Sequence, residues 1–125
     1  LFARKGLAQA PIPRFGSGQS RRDYTFVSDI VAGLTSALER LDGFAVYNLG
    51  NGSPVTLDEL LGLLEEVLGV SLDVAPEPDQ PGDVPTTWAD VALAADKLGY
   101  APQVSLRQGL ERFRDWLLAG EGAGC

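Results

Sequence analysis

Gly16-Ser-Gly-Gln-Ser-Arg-Arg-Asp-Tyr-Thr-Phe-Val-Ser-Asp-Ile30 makes three different conformational demands in succession. Glycine and serine at 16–20 specify a loop, because glycine adopts backbone angles closed to other residues. Arg22 to Val27 is rich in aromatic and β-branched side chains and reads as a strand or extended segment. Ser28 or Asp29 then serves as the N-cap of a helix. In it Ile30, Val31, Leu34, Ala37, Leu38 and Leu41 recur at helical spacing until Gly43 ends it. Upstream, Pro11-Ile-Pro-Arg-Phe-Gly16 is a short extended stretch, since each proline fixes φ and pushes its predecessor out of the helical region. Leu1-Phe-Ala-Arg-Lys-Gly-Leu-Ala8 carries no initiating Met and reads as the tail of a helix already under way. The expectation is a fragment of a longer polypeptide.

Downstream, Ala45-Val-Tyr-Asn-Leu49 reads as a short apolar strand and Gly50-Asn-Gly-Ser-Pro54 as a turn. Thr56 and Glu59 form the S/T-x-x-E capping box of a helix with Leu57, Leu60, Leu61, Leu64, Val67 and Leu68 on its apolar face, ended by Gly69. Val70 to Val74 alternates as a strand does. Pro76 to Pro85 is a loop, because its prolines forbid a helix. Asp90 caps a helix through Leu98 that stops at Gly99. Ser105 and Gln108 cap the last helix, with Leu106, Leu110, Phe113 and Leu117 inward. Gly120 to Cys125 reads as a frayed tail. The expectation is one α/β unit over 1–120, with short strands and about four helices, and a disordered tail at 121–125.

Apolar residues make up 45% and charged residues 22% of the 125, enough apolar content for a core. No apolar run approaches the roughly 20 residues of a membrane span, so a soluble, cytoplasmic chain is expected. Histidine is absent, which removes histidine triads, imidazole proton shuttles and His-ligated metals. Cys125 is the only cysteine, which removes disulfides and CxxC metal sites. The net charge of −7 argues against nucleic acid and membranes as partners. Yet residues 1–22 hold Arg4, Lys5, Arg14, Arg21 and Arg22 with no acid, while all 17 acidic residues follow. A small anionic ligand suits that basic stretch better than a polymer does.

Two glycine patterns imitate a cofactor loop. Gly50-x-Gly52 follows a strand-like run and precedes a helix, as in a dinucleotide-binding unit. That chemistry needs a third small residue and free amides at the helix start; here the third place holds Val55, and Pro54 has no amide. Gly16-x-Gly18 has Arg21 in the third place. Both read as turns. No tyrosine precedes a lysine by four residues: Tyr24, Tyr47 and Tyr100 are followed at that distance by Ser28, Asn51 and Val104.

The order and spacing of Arg22-Asp-Tyr-Thr-Phe-Val-Ser-Asp29, Val46-Tyr-Asn-Leu-Gly50, Gln80-Pro-Gly-Asp-Val-Pro85 and Leu98-Gly-Tyr-Ala-Pro102 resemble the C-terminal part of extended short-chain dehydrogenase/reductases. Within that superfamily the chain looks most like nucleotide-sugar epimerases, UDP-glucuronate 4-epimerases in particular. The resemblance covers essentially residues 1–120. It implies the nucleotide-sugar-binding lobe of a Rossmann-type, NAD-dependent enzyme. NAD and the Tyr-x-x-x-Lys pair would then belong to an N-terminal Rossmann domain absent from this chain, and the complete enzyme would be a homodimer. It further implies that Arg22 contacts the UDP phosphates and that Pro13, Arg14 and Phe15 sit at the uracil. Gln80 and Asp83 would frame ribose and phosphate, with Thr87 nearby. UDP-galactose/glucose epimerases commonly carry Arg where this chain has Gln80, which turns the resemblance away from that substrate pair.

Each of these residues also has a plainer role open to it. Arg22 could pair with Asp23 or another acid at the surface, and Asp83 after Pro-Gly could be turn chemistry. Asp29 and Asp90 read as helix caps, Trp88 and Trp116 as core anchors, and Phe15 as a core residue. Two functional classes stay open beside the epimerase: a non-catalytic nucleotide-sugar-binding or interaction module, and a UDP-sugar decarboxylase or dehydratase.

Overall fold

Residues 1–40 and 43–122 are described by the computed structural model. In chain order the elements are α1 (Phe2–Leu7), β1 (Ile12–Phe15), β2 (Arg21–Arg22), α2 (Val27–Glu39), β3 (Val55–Thr56), α3 (Leu57–Leu68), β4 (Val74–Glu77), α4 (Ala92–Leu98) and α5 (Leu106–Gly122). The opening residues are helical, as expected, and bring the helices among the described residues to five. Leu41, expected on the apolar face of α2, lies outside the described residues, as do 123–125 of the expected tail. Residues 121 and 122 of that tail continue α5 instead.

β1 pairs with β4 in parallel, Ile12 opposite Val74 and Phe15 opposite Glu77. The helices on one side fill the space under this pair. Ile12, with no exposed surface, meets Ala3 of α1, Leu61 and Leu64 of α3, Leu72, and Leu117 of α5. A second, smaller core gathers Ala94, Leu98 and Tyr100, with Ala37 of α2, Tyr47, Leu49 and Val91 against it. Here α2 approaches closely enough that a Cβ on Gly33 would lie 2.7 Å from Leu49 and 3.0 Å from Tyr100. No helix among the described residues is long and apolar enough to cross a membrane.

Several local expectations are corrected. The strand expected at 70–74 forms at 74–77. Residues 70–72 are held instead by α3, where Leu72 N donates to Glu65 Oε1 at 2.8 Å, and pairing begins only where Ile12 N reaches Asp73 O. Pro76 is tolerated because β4 is an edge strand, and its missing N–H costs no ladder bond on the open side. Residues 45–49 keep the alternation of a strand, Tyr47 and Leu49 inward and Val46 outward, but form none among the described residues. Among the described residues no neighbouring strand pairs with them. The strand from 22 to 27 shrinks to β2, and α2 is entered through Phe26 rather than Ser28 or Asp29. Asp29, 5% exposed, accepts from Val104 N at 3.0 Å and so ties α2 to the approach of α5. Asp90 sits one residue before the N-cap Val91, although its carboxylate does accept from Ala92 N. Phe113, expected inward, is 38% exposed and stacks on Trp116, with centroids 5.7 Å apart.

Both capping boxes form. Glu59 Oε2 accepts from Thr56 N at 2.6 Å and from Thr56 Oγ1 at 2.9 Å, while Thr56 Oγ1 accepts from Glu59 N. Ser105 and Gln108 reciprocate in the same way at α5. The backbone bond from Thr56, then its hydroxyl, hold the Glu59 carboxyl below its ordinary value of 4.5. A depressed carboxyl stabilises the fold above its unfolded pKa, and that contribution is lost as pH falls through the lower folded value. The urea midpoint should therefore decline as pH drops below about 4.5 more steeply in wild type than in Glu59→Gln, whose amide oxygen accepts at any pH. Parallel declines would remove Glu59 as a source of acid sensitivity.

Candidate functional site

β2 is the middle of three short extended segments. On one side it pairs antiparallel with β3, Arg21 opposite Thr56 and Arg22 opposite Val55. On the other, Arg21 N donates to Pro85 O at 2.8 Å and Thr87 N donates to Arg21 O at 3.1 Å. This brings the Gln80–Pro85 loop alongside Arg22. The guanidinium donates through Nη1 to Arg21 O at 2.7 Å and Val84 O at 2.9 Å, and through Nη2 to the Asp83 carboxylate. Nε and the second Nη2 hydrogen have no partner among the described residues. Arg22 does pair with an acid, and the acid is Asp83 rather than Asp23. Asp83 also closes a turn: its N–H donates to Gln80 O at 3.1 Å, with Pro81 and Gly82 between and Gly82 at φ +85°. That is a type II turn, whose third position favours glycine for its positive φ. The turn reading of Asp83 thus describes it.

An open cleft of about 740 Å³ runs from Arg22. Its walls are three separate stretches: Arg22 to Thr25, Tyr47 to Gly50, and Thr87 to Ala89. Burial pushes the Tyr24 phenol above its ordinary pKa of 10, and the Arg22 charge pulls back part of that shift. At neutral pH Tyr24 is therefore a hydroxyl, able to donate or accept but not a base. Asp23, in the first of these walls, bonds to two other stretches, its Oδ2 accepting from Gly52 N at 3.0 Å and Ala89 N at 3.1 Å, and its Oδ1 from Ser53 N at 3.4 Å. Gly50 is needed at this junction, since a Cβ there would sit 2.5 Å from Ala89 Cβ and 2.7 Å from Asp23 Oδ2. The buried Tyr100 hydroxyl donates to Gly50 O at 2.9 Å from below.

The candidate residues divide between places. Arg22 and Thr87 share the cleft, and Asp83 reaches Arg22 from the loop. Gln80 and Asp83 line a second hollow of about 340 Å³ with Ser17, Gln19 and Asp79. Pro13, Arg14 and Phe15 lie on β1 and line neither. Arg14 is engaged with Asp58 at the start of α3, Nη1 to Oδ1 3.3 Å, and Gln19 reaches the other oxygen at 3.1 Å. Phe15 is 38% exposed, which removes it as a core residue. Trp88 and Trp116 are 62% and 64% exposed, so neither is a core anchor. Trp88 lines the cleft. Tyr24, Tyr47, Asn48 and Asp23, which the sequence gives no site role, belong to the quoted strings, and that membership is the signal that could have found them.

The Gly50–Pro54 turn does not fit a dinucleotide. The Gly52 and Ser53 amides, which would face a pyrophosphate, are taken by the Asp23 carboxylate, a negative charge where a second one would have to sit. No group of three or more His, Cys, Asp or Glu among the described residues could hold a metal ion.

Comparison with known proteins bears on the chain as a whole. The family model described as GDP-mannose 4,6 dehydratase matches residues 2–113. The chain is 33% identical over 109 residues to the UDP-glucuronate 4-epimerase of Thermodesulfobacterium geofontis, covering 86% of this chain and 33% of that protein. It is 32% identical over 128 residues to UDP-glucuronic acid decarboxylase 1 of Arabidopsis thaliana, covering 98% of this chain and 29% of the relative. Among solved structures, UDP-glucuronic acid 4-epimerase from Bacillus cereus, in complex with UDP-glucuronic acid and NAD, superposes with a TM-score of 0.87 at 31% identity. That match covers 94% of this chain and 38% of the other. The chain thus spans about a third of the length of the curated relatives it matches.

Proposed function

This chain belongs to the GDP-mannose 4,6 dehydratase family, a family of NAD-dependent epimerases and dehydratases, and on that footing we propose that it is the nucleotide-sugar-binding lobe of a UDP-glucuronate 4-epimerase. The observation that carries the reading is Arg22, which lines the cleft and whose guanidinium is braced on Arg21 O, Val84 O and Asp83, with Nε and one Nη2 hydrogen unpartnered among the described residues. A diphosphate calls for such a donor: planar, permanently charged and held in place. Asp83 is repelled by phosphate and suits a ribose hydroxyl. Gln80, in the adjoining hollow, suits the same end of the ligand. Thr87, Tyr47 and Asn48 offer neutral hydrogen-bonding groups in the direction a sugar would extend. Pro13, Arg14 and Phe15 would meet the base through the exposed edge of β1.

In this reading the chain binds and orients, and contributes no acid, base or hydride acceptor. NAD is the family's cofactor, and its site would lie on a Rossmann lobe that these 125 residues do not include. The outward stripe Val27, Val31, Leu34 and Leu38, and with it the exposure of Phe44 and Val46, supports a lobe that packs against more protein, since every one of these residues is more than half exposed. Decarboxylation of the same substrate is the second reading, favoured by the Arabidopsis decarboxylase relative. Both are tested by supplying UDP-glucuronate and NAD to the full-length polypeptide and analysing the product. UDP-galacturonate is expected; release of carbon dioxide selects the decarboxylase, and binding of GDP-mannose in preference to UDP-sugars sinks both. The 125-residue chain alone is expected to convert nothing.

A further inference from the structure

The three walls of the cleft come from stretches far apart in sequence, and one carboxylate joins them. Asp23 belongs to the first wall, Gly52 and Ser53 follow the second after Asn51, and Ala89 ends the third. The bonds from Gly52 N, Ser53 N and Ala89 N all converge on Asp23. The bracing of Arg22 uses none of them, because its partners are Arg21 O, Val84 O and Asp83. Thr87 is likewise tied to β2 through the Arg21 backbone. The arrangement therefore separates two tasks, one set of contacts holding the cationic head of the cleft and another holding its width.

We propose that Asp23 is a positioning residue that fixes the spacing between the Tyr47–Gly50 and Thr87–Ala89 walls, and thereby governs the sugar end of the ligand but not its UDP end. The proposal rests on the functional reading above. Without the carboxylate, the turn at 50–53 and the segment at 87–89 lose their common anchor and keep only the bond from Asn48 Nδ2 to Asp90 O at 3.3 Å, so Tyr47 and Trp88 lose much of their mutual placement. Groups that bind a sugar through several hydrogen bonds must be held within about 0.5 Å of the productive geometry, so loss of placement is felt there first. Arg22 stays where its own partners keep it.

The test compares Asp23→Ala and Asp23→Asn with wild type in the full-length polypeptide. Calorimetric titrations with UDP and with UDP-glucuronate are combined with amide hydrogen exchange at Gly52 and Ala89. Asp23→Ala should lose about tenfold in affinity for UDP-glucuronate while affinity for UDP changes by less than about threefold. Asp23→Asn should recover most of the loss, because its carbonyl oxygen can take the place of Oδ2 and keep the Gly52 and Ala89 bonds. Both amides should exchange faster in Asp23→Ala and slowly in Asp23→Asn. Equal losses for the two ligands, as partial unfolding would produce, overturn the proposal. So do unchanged affinity for UDP-glucuronate and wild-type exchange rates in Asp23→Ala. A wild-type protein that binds neither ligand overturns the functional reading instead, and exchange alone then decides whether Asp23 holds the walls.

Discussion

Replacing Arg22 with alanine should lower affinity for UDP and for UDP-sugars alike by roughly ten- to a hundredfold, because a charge-assisted contact is worth about 1.5–3 kcal/mol. The guanidinium has two N–H groups without partners among the described residues and three contacts that hold it still, so little ordering is required when a diphosphate arrives. Alanine removes the charge and also releases the loop at 83–84, where Val84 O and the Asp83 carboxylate lose their donor. Asp83 would then stand unneutralised beside the diphosphate and add repulsion. Arg22→Lys should recover only part of the affinity, since an ammonium keeps the charge but cannot span Arg21 O, Val84 O and Asp83 while also facing the ligand. Calorimetric titration of UDP at fixed ionic strength checks this. Equal affinity in wild type, Arg22→Ala and Arg22→Lys would reduce Arg22 to a loop brace and remove the central contact of the site.

What was legible in the sequence follows the range of the interactions concerned. The helix at 57–68 was readable because its cap, apolar stripe and stop are all local, and Thr56, Glu59 and Gly69 behave as local chemistry dictates. The segments at 45–49 and 70–74 were misread because a strand is a property of two chains side by side. Val70 to Val74 alternates correctly, yet Glu65 of α3 takes the Leu72 amide before any strand can. The tryptophans were misread for a related reason, as burial depends on what packs opposite and a sequence does not show that. Around the cleft, the Gln80–Asp83 turn was legible from turn chemistry and the pairing of Arg22 with an acid from its charge, whereas its phosphate role comes only from the resemblance. Asp23 was hidden because its three partners are backbone amides, which every residue but proline possesses and no motif marks.

The largest stability loss is expected at Ile12, the large side chain with no exposed surface and the point where the first core meets the β1–β4 pair. Ile12→Ala should cost about 2–5 kcal/mol, the lost transfer energy plus the cavity left among Leu61, Leu64, Leu72 and Leu117. Ile12→Val removes one methylene and should cost about 0.5–1.5 kcal/mol. Four residues per strand in a two-stranded pair cannot hold themselves together in water, so β1 and β4 depend on the packing beneath Ile12. The consequence reaches the site through connectivity. β1 carries Pro13, Arg14 and Phe15, and β4 leads directly into the loop that bears Gln80 and Asp83, with Gly16 N on Glu77 O at 2.9 Å as the last bond between them. Ile12→Ala should therefore lower the urea midpoint sharply, while the fraction still folded in dilute buffer keeps Arg22 braced and binds UDP with near wild-type affinity. A midpoint unmoved by Ile12→Ala would mean that β1 is not seated on this core, and the path from core to loop would have to be redrawn.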